Sequence, residues 1–93
     1  MLVPPQLRTG QAQTMRLYVM DHQGKPLQSG QAVLFAYRPN SEASDFKQEL
    51  QYADPGTFSA TLSFPLPGKW DLIAQIRSGE QKYDVAQRIN VEK

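Results

Sequence analysis

A Pro-Gly pair at positions 67–68, followed at once by an alternating run, constrains the fold more than any other stretch of this chain. Pro fixes φ and Gly accepts φ > 0, so the backbone reverses there. Beyond the turn, Trp70, Leu72, Ala74 and Ile76 alternate with Lys69, Asp71, Gln75 and Arg77, and only Ile73 breaks the pattern. A period of two is the mark of a half-buried antiparallel strand. Trp70, the sole tryptophan, therefore reads as a core anchor and not as a surface binding residue.

The same period recurs along the chain. Thr14 to Met20 sets Met15, Leu17 and Val19 against Arg16 and Tyr18, and Asp21-His22-Gln23-Gly24-Lys25-Pro26 then turns. Gln31 to Arg38 is a nearly continuous apolar run, as expected of a central strand with one face in the core and the other partly covered. The pattern assigns Phe35 to the core, with Leu34, Ala36 and Ile73 on outward faces. Pro39 to Ser44 reads as a polar loop, and Asp45 to Tyr52 as a strand. After the Asp54-Pro55-Gly56 turn, Thr57 to Phe64 alternates most cleanly, with Phe58, Ala60, Leu62 and Phe64 on one side. Ser78-Gly79-Glu80 reads as a tight hairpin, and Lys82 to Val91 as the last strand, with Tyr83, Val85, Ile89 and Val91 sharing a side. The predicted core is anchored by Trp70, Leu72, Phe58, Leu62, Phe35 and Leu17.

No segment carries a helical period, and seven Pro and six Gly in 93 residues favour a turn-rich β domain. Six strands, with a possible seventh in the lead-in, predict an all-β fold. The expected form is an immunoglobulin-like antiparallel β-sandwich of about seven strands, with a small barrel as the alternative. Residues 1–12 read as an extended lead-in or linker, and residues 13–93 as the sandwich domain. Edge strands carrying Lys47, Glu49, Lys82 and Asp84 read as guarded against indiscriminate strand pairing.

Composition removes several function classes. Ten basic and nine acidic residues nearly cancel, and without a basic stripe or a stacking platform the chain is not expected to bind nucleic acid. With no cysteine, disulfides, thiolate metal sites and thiol catalysis are out. No apolar run approaches the roughly 18–20 residues that span a bilayer. His22, the only histidine, has no serine or carboxylate placed to form a catalytic set, so no enzymatic activity and no cofactor are expected. Met20 and His22 share strand parity and are ligand types that copper accepts, which makes them the candidate metal residues. Met15 has the opposite parity and reads as core. Nothing in the pattern sets an oligomeric state.

Four elements then fall in order: Asp21-x-x-Gly24-Lys25-Pro26-Leu27, Tyr37-Arg38-Pro39, Pro55-Gly56-Thr57-Phe58 and Pro67-Gly68-Lys69-Trp70-Asp71-Leu72. Together they resemble the FixH family over roughly residues 14–91. The resemblance implies a periplasmic domain held at the inner membrane by one N-terminal helix, upstream of Met1 in this chain, with Pro4-Pro5 as linker. It implies a part in assembling cbb-type haem–copper cytochrome oxidase beside FixG, FixS and FixI, the last a copper-transporting P-type ATPase. It supplies no catalytic residue. Related YtkA-like and CopC-like domains carry Met- and His-rich copper segments, whereas the loop from Arg38 to Ser44 holds neither residue. The leading expectation is thus an accessory domain that works through protein–protein contacts. The alternatives are a periplasmic copper-binding chaperone using Met20 and His22, and a plain structural module of a larger surface protein.

Overall fold

In the computed structural model, which describes residues 6–21, 23–39 and 41–93 (41–44 by backbone alone), the described chain forms six strands and no helix. They are β1 (Gln13–Tyr18), β2 (Gln31–Arg38), β3 (Ser41–Asp54), β4 (Thr57–Leu62), β5 (Gly68–Ser78) and β6 (Gln81–Val91). All pair antiparallel, in the order β1-β4-β3-β2-β5-β6. The all-β antiparallel expectation is met. One curled sheet of six strands stands where a sandwich of about seven was expected.

The curl comes from β3. Its first half pairs with β2 from Phe46 to Leu50, and its second half pairs with β4 from Gln51, with register shifts at Ala36/Arg38 and Tyr52/Asp54. One long strand thus serves two partners, and the sheet folds over so that its two limbs enclose the core. The lead-in laces the limbs together at one end. Leu7 is buried, Glu92 N–H donates to Leu7 O (2.7 Å), Thr9 N–H donates to Glu92 O (2.8 Å) and Gly10 N–H donates to Phe64 O (2.9 Å). These are isolated bridges at Arg8 and Thr9, not a seventh strand.

The core is built from alternate residues of every strand, as a period of two requires. In one limb Met15 and Leu17 of β1 lie beside Ala60 and Phe58 of β4, with Val19 and Leu62 buried as well, and Trp70, Leu72, Ala74 and Ile76 are fully enclosed in the other. Phe64, Phe46 and Trp70 form a ring cluster with centroids 5.3–5.7 Å apart, the separation at which tilted aromatic rings attract. On β2 the expected parity is reversed. Ala32, Leu34 and Ala36 are buried, whereas Phe35 is half-exposed on the outer face. The ladder forces this: Leu34 pairs with Ala74 and Ala36 with Leu72, both inward, while Phe35 pairs with Ile73, which points out.

Strand ends differ from the pattern in two further places. β3 begins at Ser41, inside the expected polar loop, because Arg38 pairs with Ser41 and draws the following backbone into a hairpin. β1 ends at Tyr18, after which Val19 N–H donates to Gly56 O (2.8 Å), Leu27 N–H to Val19 O (3.2 Å) and Gly56 N–H to Leu27 O (2.6 Å). That three-way junction closes the end of the molecule opposite the lead-in.

Candidate functional site

Two of the four sequence elements, Tyr37-Arg38-Pro39 and the Pro67–Leu72 stretch, converge on Trp70. Trp70 Nε1 donates to Leu66 O at 3.0 Å, so the indole is tied to the turn that precedes it. Arg38 donates from Nη1 to Pro67 O at 2.8 Å and lies with Cζ 5.5 Å from the indole centroid, a cation–π placement. Its own N–H donates to Asp45 Oδ1 at 2.9 Å. Gly68 has φ 108°, and a Cβ there would sit 3.3 Å from Arg38 Nη2. Glycine is therefore what lets the guanidinium lie across the indole. This end is a brace that fixes the sheet around Trp70.

The turn element is also structural. The Asp21 carboxylate accepts the N–H groups of Gln23 (2.8 Å) and Lys25 (3.0 Å), the usual way an aspartate organises a turn. Leu27 then plugs the core.

Asp71 leaves the core for the outer face. Arg88, directly opposite on β6, donates Nε and Nη2 to its two carboxylate oxygens at 2.6 and 3.1 Å. This forked bond holds the Asp71 carboxyl below its ordinary pKa and raises that of Arg88. Beside the pair runs an apolar stripe. Val33 and Phe35 of β2 and Ile73 of β5 are half-buried, and Tyr37 is 39% exposed. The Phe35 and Tyr37 rings stack 6.2 Å apart at 6°, and Ile73 continues the stripe to Ala86. Lys47 and Glu49 flank it on β3, opposite Phe35 and Val33. A cross-strand apolar stripe with a charged rim is the composition of a protein contact surface.

Of the expected copper residues, Met20 stands elsewhere. Met20 is 61% exposed beside Tyr18, which is 54% exposed, near the Val19–Leu27–Gly56 junction. Met15 is buried, so it is core, and His22 lies outside the described residues. Among the described residues no group of three or more His, Cys, Asp or Glu side chains is placed to hold a metal, and no helix is long and apolar enough to cross a membrane. Sequence reasoning missed Arg88. It was within reach, because a two-residue hairpin closing Ser78 on Gln81 places Arg88 across from Asp71. The outward turn of Phe35 and Tyr37 had no such signal in a run that is apolar at nearly every position.

The fold and its brace define a small, single-sheet β domain whose marked residues build structure at one end and leave an apolar stripe on the outer face. The FixH family model matches residues 5–90, and the chain belongs to the FixH family. Neither a curated protein nor a solved structure matches it.

Proposed function

We propose that this chain is a non-enzymatic accessory domain in the assembly of cbb-type haem–copper cytochrome oxidase, acting through protein–protein contacts. Family membership supports the link to oxidase assembly. The observation that carries the contact role is the outer stripe of Val33, Phe35, Tyr37 and Ile73, with its charged rim. In this reading the curl is a compact immunoglobulin-like sandwich, its limbs being β1-β4 and β2-β5-β6. The full-length protein stands on the periplasmic side of the inner membrane, held by an N-terminal helix. The lead-in then enters at the Trp70 end and presents the outer face of β2 and β5 sideways to a neighbour. The partners are oxidase-assembly membrane proteins: a copper-transporting P-type ATPase and a FixG-like protein.

Deletion of the domain tests the assembly role. Cells lacking it should lose active cbb-type oxidase, read from the haem spectrum and oxygen uptake of their membranes. Undiminished oxidase contradicts the proposal. Copper binding through Met20 and His22 is the second reading, favoured by the exposure of Met20. A Cu(I) titration in which the native chain binds and His22→Ala does not would support it. Equal behaviour of the two chains would remove it.

A further inference from the structure

The outer stripe runs into a cationic end. Arg77 of β5 and Lys82 of β6 stand directly opposite each other, both exposed on the outer face. On its other side Arg77 pairs with Gln31 of β2. Two shallow grooves meet at Arg77. Gln31, Val33, Phe35 and Gln75 line one of about 220 Å³ with it, and Gln75, Lys82 and Asp84 line a second of about 300 Å³. Apolar surface and positive charge are therefore continuous across β2, β5 and β6.

Like charges set directly opposite each other weaken a sheet, so this pair costs the domain stability. Among the described residues Arg88 and Asp71 form an ion pair, whereas Arg77 and Lys82 form none, and Asp84, two positions along β6, bonds to neither. Glu42, the one carboxylate whose side chain lies outside the described residues, belongs to the Arg38↔Ser41 end of β3. Gln31↔Arg77 lies at the far end of β2. The lead-in falls short of the pair as well. Lys82 is ten positions along the chain from Glu92, which bridges Arg8, or about 33 Å of strand. The seven residues before Arg8 span at most about 25 Å.

The other end of the stripe is neutral. Tyr37 pairs with Asp71, and the forked bond from Arg88 cancels the charge of that carboxylate. The face thus has a direction along its strands, with cancelled charge at the Trp70 end and uncancelled positive charge at the hairpin end. Complementary charge fixes how a partner lies on such a face.

We propose that this face docks a protein segment that carries apolar side chains for Val33, Phe35 and Ile73 and a carboxylate, from Asp or Glu, for Arg77 and Lys82. The inference rests on the stripe being the contact surface of the assembly role, and it adds the chemistry and the direction of what is contacted. A carboxylate held between the two cations turns a repulsion in the unbound domain into two charge-assisted bonds in the complex. The opposed pair weakens the fold and strengthens the contact.

Carbodiimide crosslinking tests it, because the reagent joins an amine to a carboxylate only where the two touch. The full-length protein is treated in membranes of cells that make cbb-type oxidase, recovered by a tag and read by mass spectrometry. Lys82 should be joined to an Asp or Glu of an oxidase-assembly protein, in a yield that falls as salt rises. Lys82→Glu should recover about tenfold less of that protein. It should also unfold at no lower denaturant concentration than the native chain, because an opposite charge then faces Arg77. Equal recovery by the native protein and Lys82→Glu, with Phe35→Asp losing the partner, overturns the proposal and leaves the contact surface standing. Recovery that neither substitution diminishes, or none by the native protein, overturns the contact surface and the proposal with it. Should Lys82→Glu unfold earlier than the native chain, Lys82→Gln makes the same comparison.

Discussion

The two faces of β2 differ in a way that side-chain size alone would not suggest. The inner face carries Ala32, Leu34 and Ala36, all buried, while the outer face carries Val33, Phe35 and Tyr37, all partly or well exposed. The smaller set lies inside because large rings already fill the space it faces: Phe58, Phe64 and Trp70 enter the core from β4, its extension and β5. A close-packed interior has room for only so many rings. The larger set lies outside, where stacked Phe35 and Tyr37 cover one another and keep apolar surface available. The inner face serves stability and the outer face is free to serve contact.

Mutations on the two faces should therefore separate. The largest effect belongs to the ring that makes the inner face small. Trp70→Ala should lose about 3–5 kcal/mol, much of the roughly 5–15 kcal/mol that holds a domain of this kind together. Denaturant unfolding measures it, and a loss under about 1 kcal/mol would mean that the indole is not enclosed. Leu34→Ala, on the inner face, should cost about 2–5 kcal/mol. Phe35→Ala, one residue along and larger, should cost only about 1 kcal/mol, since much of that ring is solvated already. If Phe35→Ala proves more costly than Leu34→Ala, the assignment of the two faces is reversed.

The smallest effect concerns the rim. The bond from Arg88 depresses the Asp71 pKa, so its stabilising effect is present above the ordinary carboxylate value of 3.8. It is lost as pH falls through the lower value of the folded state. The pair is solvent-exposed, with Arg88 and Asp71 side chains 59% and 37% accessible, and salt screens it further. Asp71→Asn should thus melt slightly below the native chain at pH 7 in low salt. The gap should close in strong acid and narrow in high salt. A gap that widens on acidification would contradict the pairing.

Much of this fold is legible in the sequence where a strand has one wet face. β4 and β5 alternate polar and apolar residues, and the sides expected to face inward, from Phe58 to Leu62 and from Trp70 to Ile76, are buried. β2 hides its parity because both faces are apolar, and only the ladder with β5 decides it. The start of β3 is hidden for another reason. Its residues are polar, and what makes them a strand is pairing with Arg38 across the hairpin. The place of Leu7 depends on the bond from Glu92, and that of Thr9 and Gly10 just after it on Phe64, all more than fifty positions away, which no local pattern encodes. The same holds for the brace. The Arg-Pro and Pro-Gly-x-Trp-Asp-Leu elements are visible as words, but the stacking of Arg38 on Trp70 and the need for Gly68 beneath it exist only in three dimensions.

The most direct test of the two-face account is a tagged pull-down of the full-length protein, native and Phe35→Asp side by side, with bound components identified by mass spectrometry. The native protein should recover a copper-transporting ATPase, a FixG-like protein or an oxidase subunit. Phe35→Asp should lose that component while unfolding at nearly the native denaturant concentration. Recovery of the same components by both proteins, or of none by the native one, would contradict the outer face of β2 as the contact surface.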